Sequence, residues 1–118
     1  MFEPREFFIA GVQFHEMKSA IRHLRQGQNL ALTLEPSNSY DPNAVRIEYN
    51  EQDQCFMLGF VPKKFSSEIS AAIEVGIKVG CKIIELNPSA KPWEQCLVRL
   101  YDSDDPAEYM NEEDTEDA

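Results

Sequence analysis

Asn29 to Glu35 places Leu30, Leu32 and Leu34 on one face and Ala31 and Thr33 on the other, and Pro36 closes the run. A period of two over such a stretch is a β-strand with one face toward a core. The pattern recurs at close intervals. Ala44–Tyr49, Cys55–Val61, Lys78–Leu86 and Trp93–Tyr101 are further short apolar or alternating runs, each set off by turn formers or proline. Arg5 to Phe14 adds an apolar strand with Gly11 near its middle, and a strand glycine marks a bulge or a bend. About six short strands with turns this close favour a small barrel or a highly curved sheet. One αβ alternation is too little for a doubly wound parallel sheet.

Two segments break the period of two. From His15 to Leu24, Met17, Ala20, Ile21 and Leu24 recur at helical spacing, with Gly27 just beyond as a stop. Phe65, Ile69, Ala72 and Ile73 line one face of a second helix that ends near Gly76. The reading is a mainly β fold with two short helices able to cap the open ends of a barrel.

A chain of 118 residues with 42% apolar content suits one domain with one core. No apolar run approaches the roughly 20 residues needed to span a bilayer. The start, Met1 to Glu6, has no basic stretch followed by an apolar one, so a signal peptide is not expected. These features point to a soluble cytoplasmic protein, or a nuclear one in a eukaryote, without a membrane partner. Cys55, Cys81 and Cys96 are odd in number and widely spaced, and neither His15 nor His23 is near them in sequence. No metal site or other cofactor is expected, and the cysteines read as small core residues in a reducing compartment.

The net charge is −10, but it is uneven. Nine of the 21 acids fall in residues 102–118, which hold no Lys or Arg. Residues 1–101 therefore carry twelve acids against eleven bases and are close to neutral. The expected organisation is a domain over 1–101 and an acidic, disordered tail over 102–118.

The loop from Ser37 to Val45 carries more than turn chemistry. Its Ser, Asn, Asp and Pro residues are turn formers, but Tyr40 in their midst is not explained that way. Each candidate also has a plain structural reading. Asp41 before Pro42 suits an Asx turn, Phe14 in an apolar run suits the core, and Lys63 and Lys64 after Pro62 suit a solvated helix start. Trp93 beside Pro92 suits core packing or stacking. Glu35, Asp41 and His15 are acid and base groups, but there is no nucleophile elbow, phosphate loop or metal-spaced cluster, so an enzyme is not expected.

Gly11-Val12-Gln13-Phe14, Leu30 to Pro36, Asn38 to Val45 and Leu58-Gly59-Phe60-Val61-Pro62-Lys63, in this order and spacing, resemble the HIRAN domain over roughly residues 5–101. That domain occurs in Swi/Snf-type remodelers and as short free-standing bacterial proteins. The resemblance implies an OB-like, six-stranded small β-barrel with two helices. It implies capture of the free 3′-hydroxyl end of single-stranded DNA in DNA repair or processing. Bases would stack on Phe14, Tyr40 and Trp93, Asp41 would meet the terminal hydroxyl, and Lys63, with Lys64 beside it, would reach phosphate. Gln13 stands where end-binding members carry Arg, and an amide supplies no charge to the electrostatic part of affinity. Two functions stay open: a nucleic-acid end-binding module, and a protein-interaction or regulatory module with the same fold and weak or no DNA binding. The oligomeric state is not legible.

Overall fold

The computed structural model describes residues 2–108. Six antiparallel strands form one sheet: β1 (Arg5–Phe8), β2 (Asn29–Leu34), β3 (Val45–Glu51), β4 (Gln54–Phe60), β5 (Val79–Leu86) and β6 (Cys96–Asp102). Their order across the sheet is β1-β6-β5-β2-β3-β4. β2 divides its ladder. Asn29 and Leu30 pair with β5, while Ala31 to Leu34 pair with β3. The sheet therefore turns on β2, and its curvature is increased by irregular register at Ile47/Glu48 and at Ile83/Glu85.

The expected OB-like, mainly β fold with a highly curved sheet is what the structure has. The sheet is open, as in an OB-like fold whose barrel is only partly shut. Its two edges touch at one pair, Ala10 with Phe60, which exchange N–H to O=C bonds of 2.9 Å in both directions. The contact depends on Gly59. A Cβ there would lie 2.3 Å from the Ala10 carbonyl oxygen and 2.7 Å from Ile9 Cγ2. Only a residue without a side chain lets the edges approach so closely.

The alternation seen in the sequence becomes the core. Val45, Ile47, Leu58, Ile83, Val98 and Leu100 are sealed inside the curved sheet, joined by Ile69 from a helix. That helix, α2 (Lys63–Glu74), packs against β3 and β5. Phe65 on α2 stacks on Phe7 of β1 at 5.6 Å between ring centroids.

Three local expectations change. The first strand ends at Phe8, not Phe14. Gly11 takes φ +70, a left-handed conformation, and starts a 3-10 turn over Val12–Phe14. The helix expected over 15–24 is broken into α1 (Met17–Ala20) and a 3-10 turn, Ile21–His23. Its apolar face is real, with Met17, Ala20 and Leu24 buried. So short a segment holds its shape by packing rather than by intrinsic helicity. The Glu16 carboxylate accepts the Met57 N–H at 2.9 Å, and the Glu16 N–H donates to the Met57 carbonyl at 2.8 Å. Glu16 thus pins α1 to the free edge of β4, which covers that edge against pairing with another chain. Finally, Trp93 precedes the last strand and sits in a 3-10 turn, Pro92–Glu94.

Of the acidic segment 102–118, Asp102 ends β6 and the Ser103 N–H donates to the Lys78 carbonyl at 2.9 Å. Arg99 holds Glu108 at 2.9 Å. Residues 109–118 lie outside the described residues. No helix among the described residues is long and apolar enough to cross a membrane.

Candidate nucleic-acid interface

The point where the sheet edges meet is also where a cleft of about 640 Å³ opens. Its floor includes Ala10, Gly11, Ala44, Phe60 and Val61. One wall is the turn after β1. Val12 is buried and anchors that turn, while Phe14 swings outward and is 78% exposed. The core reading of Phe14 is thereby corrected: the left-handed Gly11 turns the chain out of the strand before Phe14 is reached.

The opposite wall is the loop between β2 and β3, organised by Asn38. Its Oδ1 accepts the N–H groups of Tyr40 and Asp41 at 2.8 and 3.0 Å, and its Nδ2 donates to Glu35 at 3.2 Å. The loop is closed below by the Glu35 N–H donating to the Ala44 carbonyl at 2.9 Å. These bonds satisfy the backbone and leave the Tyr40 ring with nothing to cover it, at 89% exposure.

Asp41 is held at both oxygens. Oδ1 accepts the Asn43 N–H at 2.9 Å, the Asx turn that an Asp before proline favours. Oδ2 accepts the Ser66 hydroxyl at 2.6 Å. Ser66 is 2% exposed, in the first turn of α2, so this bond ties the loop to the helix that carries Lys63. The Ser66 hydrogen bond, then the Asn43 N–H, lower the Asp41 pKa below the ordinary carboxylate value; desolvation opposes them, and the charge of Lys63 adds a lesser lowering. Asp41 is therefore an anion near neutral pH with one lone-pair direction left on each oxygen.

Four of the seven candidate residues line this cleft: Phe14, Tyr40, Asp41 and Lys63. Gln13 does not; it lines a neighbouring groove with Lys18 and Pro92. Lys64 is exposed, with its ammonium 5.1 Å from the centroid of the Phe65 ring. Trp93 is 52% exposed, with Lys91 Nζ 5.8 Å from its ring centroid. The turn that carries it packs against Val12–Phe14.

The structure adds His15, Glu35, Asn38 and Phe60 to the cleft, and Ser66 behind Asp41. The His15 ring stands edge-on to Phe60 at 5.4 Å. Phe60 and Asn38 lie inside the motifs read from the sequence, where they served as a strand residue and a turn former. Ser66 gave no signal, because the bond that matters crosses 25 positions of chain.

The cleft offers two exposed aromatic faces, a fixed carboxylate and a primary ammonium. Aromatic faces stack bases without reading sequence. An ionised carboxylate accepts hydrogen bonds from hydroxyl groups and repels phosphate. Among the described residues, no group of His, Cys, Asp or Glu is placed to hold a metal ion. Burial pushes the Cys96 thiol up to about 12 and raises Cys81 as well, so both stay protonated.

Three comparisons bear on this arrangement. The family model for the HIRAN domain matches residues 5–103. The crystal structure of the HIRAN domain of human HLTF is similar, with a TM-score of 0.58 and 13% identity over 82% of this chain and 70% of that one. A crystal structure of a protein from Lactobacillus plantarum is similar too, with a TM-score of 0.63 and 18% identity over 83% of this chain and 98% of that one. At these identities the likeness to the two structures is one of fold. No curated protein matches the sequence.

Proposed function

The chain belongs to the HIRAN domain family, a family of nucleic-acid-binding modules, and on that premise we propose that it captures the free 3′-hydroxyl end of single-stranded DNA in a repair or end-processing setting. The observation that carries this reading is the convergence of Phe14, Tyr40, Asp41 and Lys63, remote in sequence, on one cleft. The terminal base stacks on Phe14 and Tyr40. Its 3′-hydroxyl donates to a free lone pair of Asp41. Lys63, which lines the same cleft, meets the phosphate that joins the last two nucleotides. A continuous strand would bring a phosphate to Asp41 instead, and repulsion would disfavour it. Selection for an end follows from one carboxylate, with no base-edge contact needed.

Gln13 favours a second reading. An amide beside the cleft adds no charge to that of Lys63 within it, and the body of the protein is close to neutral. Affinity is then modest, and the same surface serves as a protein-interaction or regulatory module. One titration separates the readings. Short oligonucleotides ending in a 3′-hydroxyl are compared with the same strands ending in a 3′-phosphate, at low and moderate salt. End capture requires tighter binding of the hydroxyl form at both salts. Indifference to the end removes the Asp41 role, and no binding at low salt leaves the second reading standing.

A further inference from the structure

We propose that the sugar this cleft selects is a ribose: its tightest ligand is a single strand whose last sugar carries both a 2′- and a 3′-hydroxyl, as in RNA or in a DNA strand closed by one ribonucleotide. This rests on the end-capture reading and names the sugar for it. The ground is the way Asp41 is held. Each carboxylate oxygen has two lone-pair directions. On Oδ1 one is taken by the Asn43 N–H at 2.9 Å, and on Oδ2 one is taken by the Ser66 hydroxyl at 2.6 Å. Asn43 belongs to the loop itself, and Ser66, 2% exposed, to α2. Anchored at both oxygens by the protein, the carboxylate is fixed against rotation. It keeps one free acceptor direction on each oxygen, in the cleft that it lines.

A deoxyribose terminus has one hydroxyl and fills one of these acceptors. The other oxygen, which shares the charge, is left to water. A ribose terminus has two vicinal hydroxyls on one face of the ring, at a spacing close to that of the two carboxylate oxygens, so each donates to its own oxygen. The second bond goes to an ionised acceptor that is already in place, and such charge-assisted bonds are the strong ones. The other acid lining the cleft does not compete for the 2′-hydroxyl. The Glu35 carboxylate accepts Asn38 Nδ2 at 3.2 Å with one oxygen and faces Arg46 Nε at 3.5 Å with the other. Asn38 in turn uses its own oxygen on the Tyr40 and Asp41 N–H groups. The 2′-hydroxyl is the group by which a protein tells RNA from DNA at a given site, and Asp41 is the acceptor this fold leaves for it.

The test is a set of strands that share one short DNA body, labelled at the 5′ end, and differ in the last sugar alone, titrated into the full chain by fluorescence anisotropy. The termini are deoxyribose, ribose and 2′-O-methyl ribose, each with a free 3′-hydroxyl, and deoxyribose 3′-phosphate. The 2′-O-methyl form keeps the pucker of ribose and removes the 2′ donor. One more hydrogen bond to a charged acceptor is expected to tighten the ribose form about tenfold over the deoxyribose form, and the 2′-O-methyl form returns to the deoxyribose level. The same termini on an RNA body give the same ratios, because the effect belongs to the last sugar. In Asp41→Asn the ribose gain falls to about twofold or less. Equal binding of deoxyribose and ribose ends, both tighter than the 3′-phosphate, overturns the ribose inference and leaves end capture intact. A ribose gain that survives 2′-O-methylation or Asp41→Asn, or that is confined to one body, overturns it equally. If the 3′-phosphate binds as well as the hydroxyl forms, or no strand binds at low salt, end capture fails and the inference fails with it.

Discussion

The outer face of the sheet and the cleft treat the same kinds of side chain in opposite ways. On the outer face, Arg46 meets Glu35 and Glu48 and Arg99 meets Glu6 and Glu108, and at the edge of the sheet Arg5 reaches Glu68 of α2. Rings elsewhere are paired as well: Phe7 with Phe65, and Phe56 between Tyr49 and His23. At the cleft, Phe14 and Tyr40 are exposed with no ring partner among the described residues, and Lys63 has no ion pair there. Exposed ion pairs contribute about 0 to 1 kcal/mol each, so the outer network says little about function. The informative groups are those the fold leaves unmatched while fixing the backbone that carries them.

The contrast breaks most completely if the sheet edges cannot meet. Gly59→Ala is expected to lower stability by about 2 to 4 kcal/mol, because its Cβ collides with the Ala10 carbonyl and Ile9. Urea denaturation measures this, and DNA binding should fall with it, since Ala10, Gly11 and Phe60 form the floor of the cleft.

The next largest effect belongs to the exposed rings. Tyr40→Ala or Phe14→Ala is expected to weaken oligonucleotide binding by about 1 to 3 kcal/mol, with the unfolding midpoint nearly unchanged because neither ring is packed. A large stability loss instead would place these rings among the structural ones.

Asp41→Asn is expected to abolish the preference for a 3′-hydroxyl over a 3′-phosphate while changing total affinity for the hydroxyl form less. Acidification provides a second check. The Asp41 pKa is depressed in the folded protein, so its contribution to stability is complete above the ordinary carboxylate value and is lost as pH falls through the lower folded value. End preference should therefore persist at pH 5 and fade only below the ordinary carboxylate range. Loss of preference near pH 6 would assign it to another group.

The smallest effects compare two cations. Lys63→Ala should reduce the salt slope of binding by about 1. Arg99→Ala, on the paired face, should leave that slope unchanged and alter stability by no more than about 1 kcal/mol.

Much of the fold was legible because it is local. The alternation of Leu30, Leu32 and Leu34 and of Val45, Ile47 and Tyr49 marks strands through a period that each segment carries by itself. The apolar positions of both helical segments were also right, since Met17, Ala20, Leu24 and Ile69 are all buried. What was misread turns on backbone conformation. Gly11 looked like a bulge within a strand, yet its positive φ ends the strand and carries Phe14 out to solvent. Trp93 read as a strand start, but Pro92 begins a 3-10 turn instead. How the sheet edges meet was not legible, because that contact depends on one close approach at Gly59 rather than on any strand's pattern.

By itself, the sequence determined the strands, the turns, the apolar face of each helix and the family motifs, all of which are set within a few neighbouring residues. Only the tertiary structure decided that Phe14, Tyr40, Asp41 and Lys63 share one cleft while Gln13 lines a neighbouring groove and Trp93 sits on a turn packed against Val12–Phe14. It also decided that a buried Ser66 fixes the carboxylate. These relations depend on where distant segments meet across a curved sheet, and no periodicity along the chain encodes that distance.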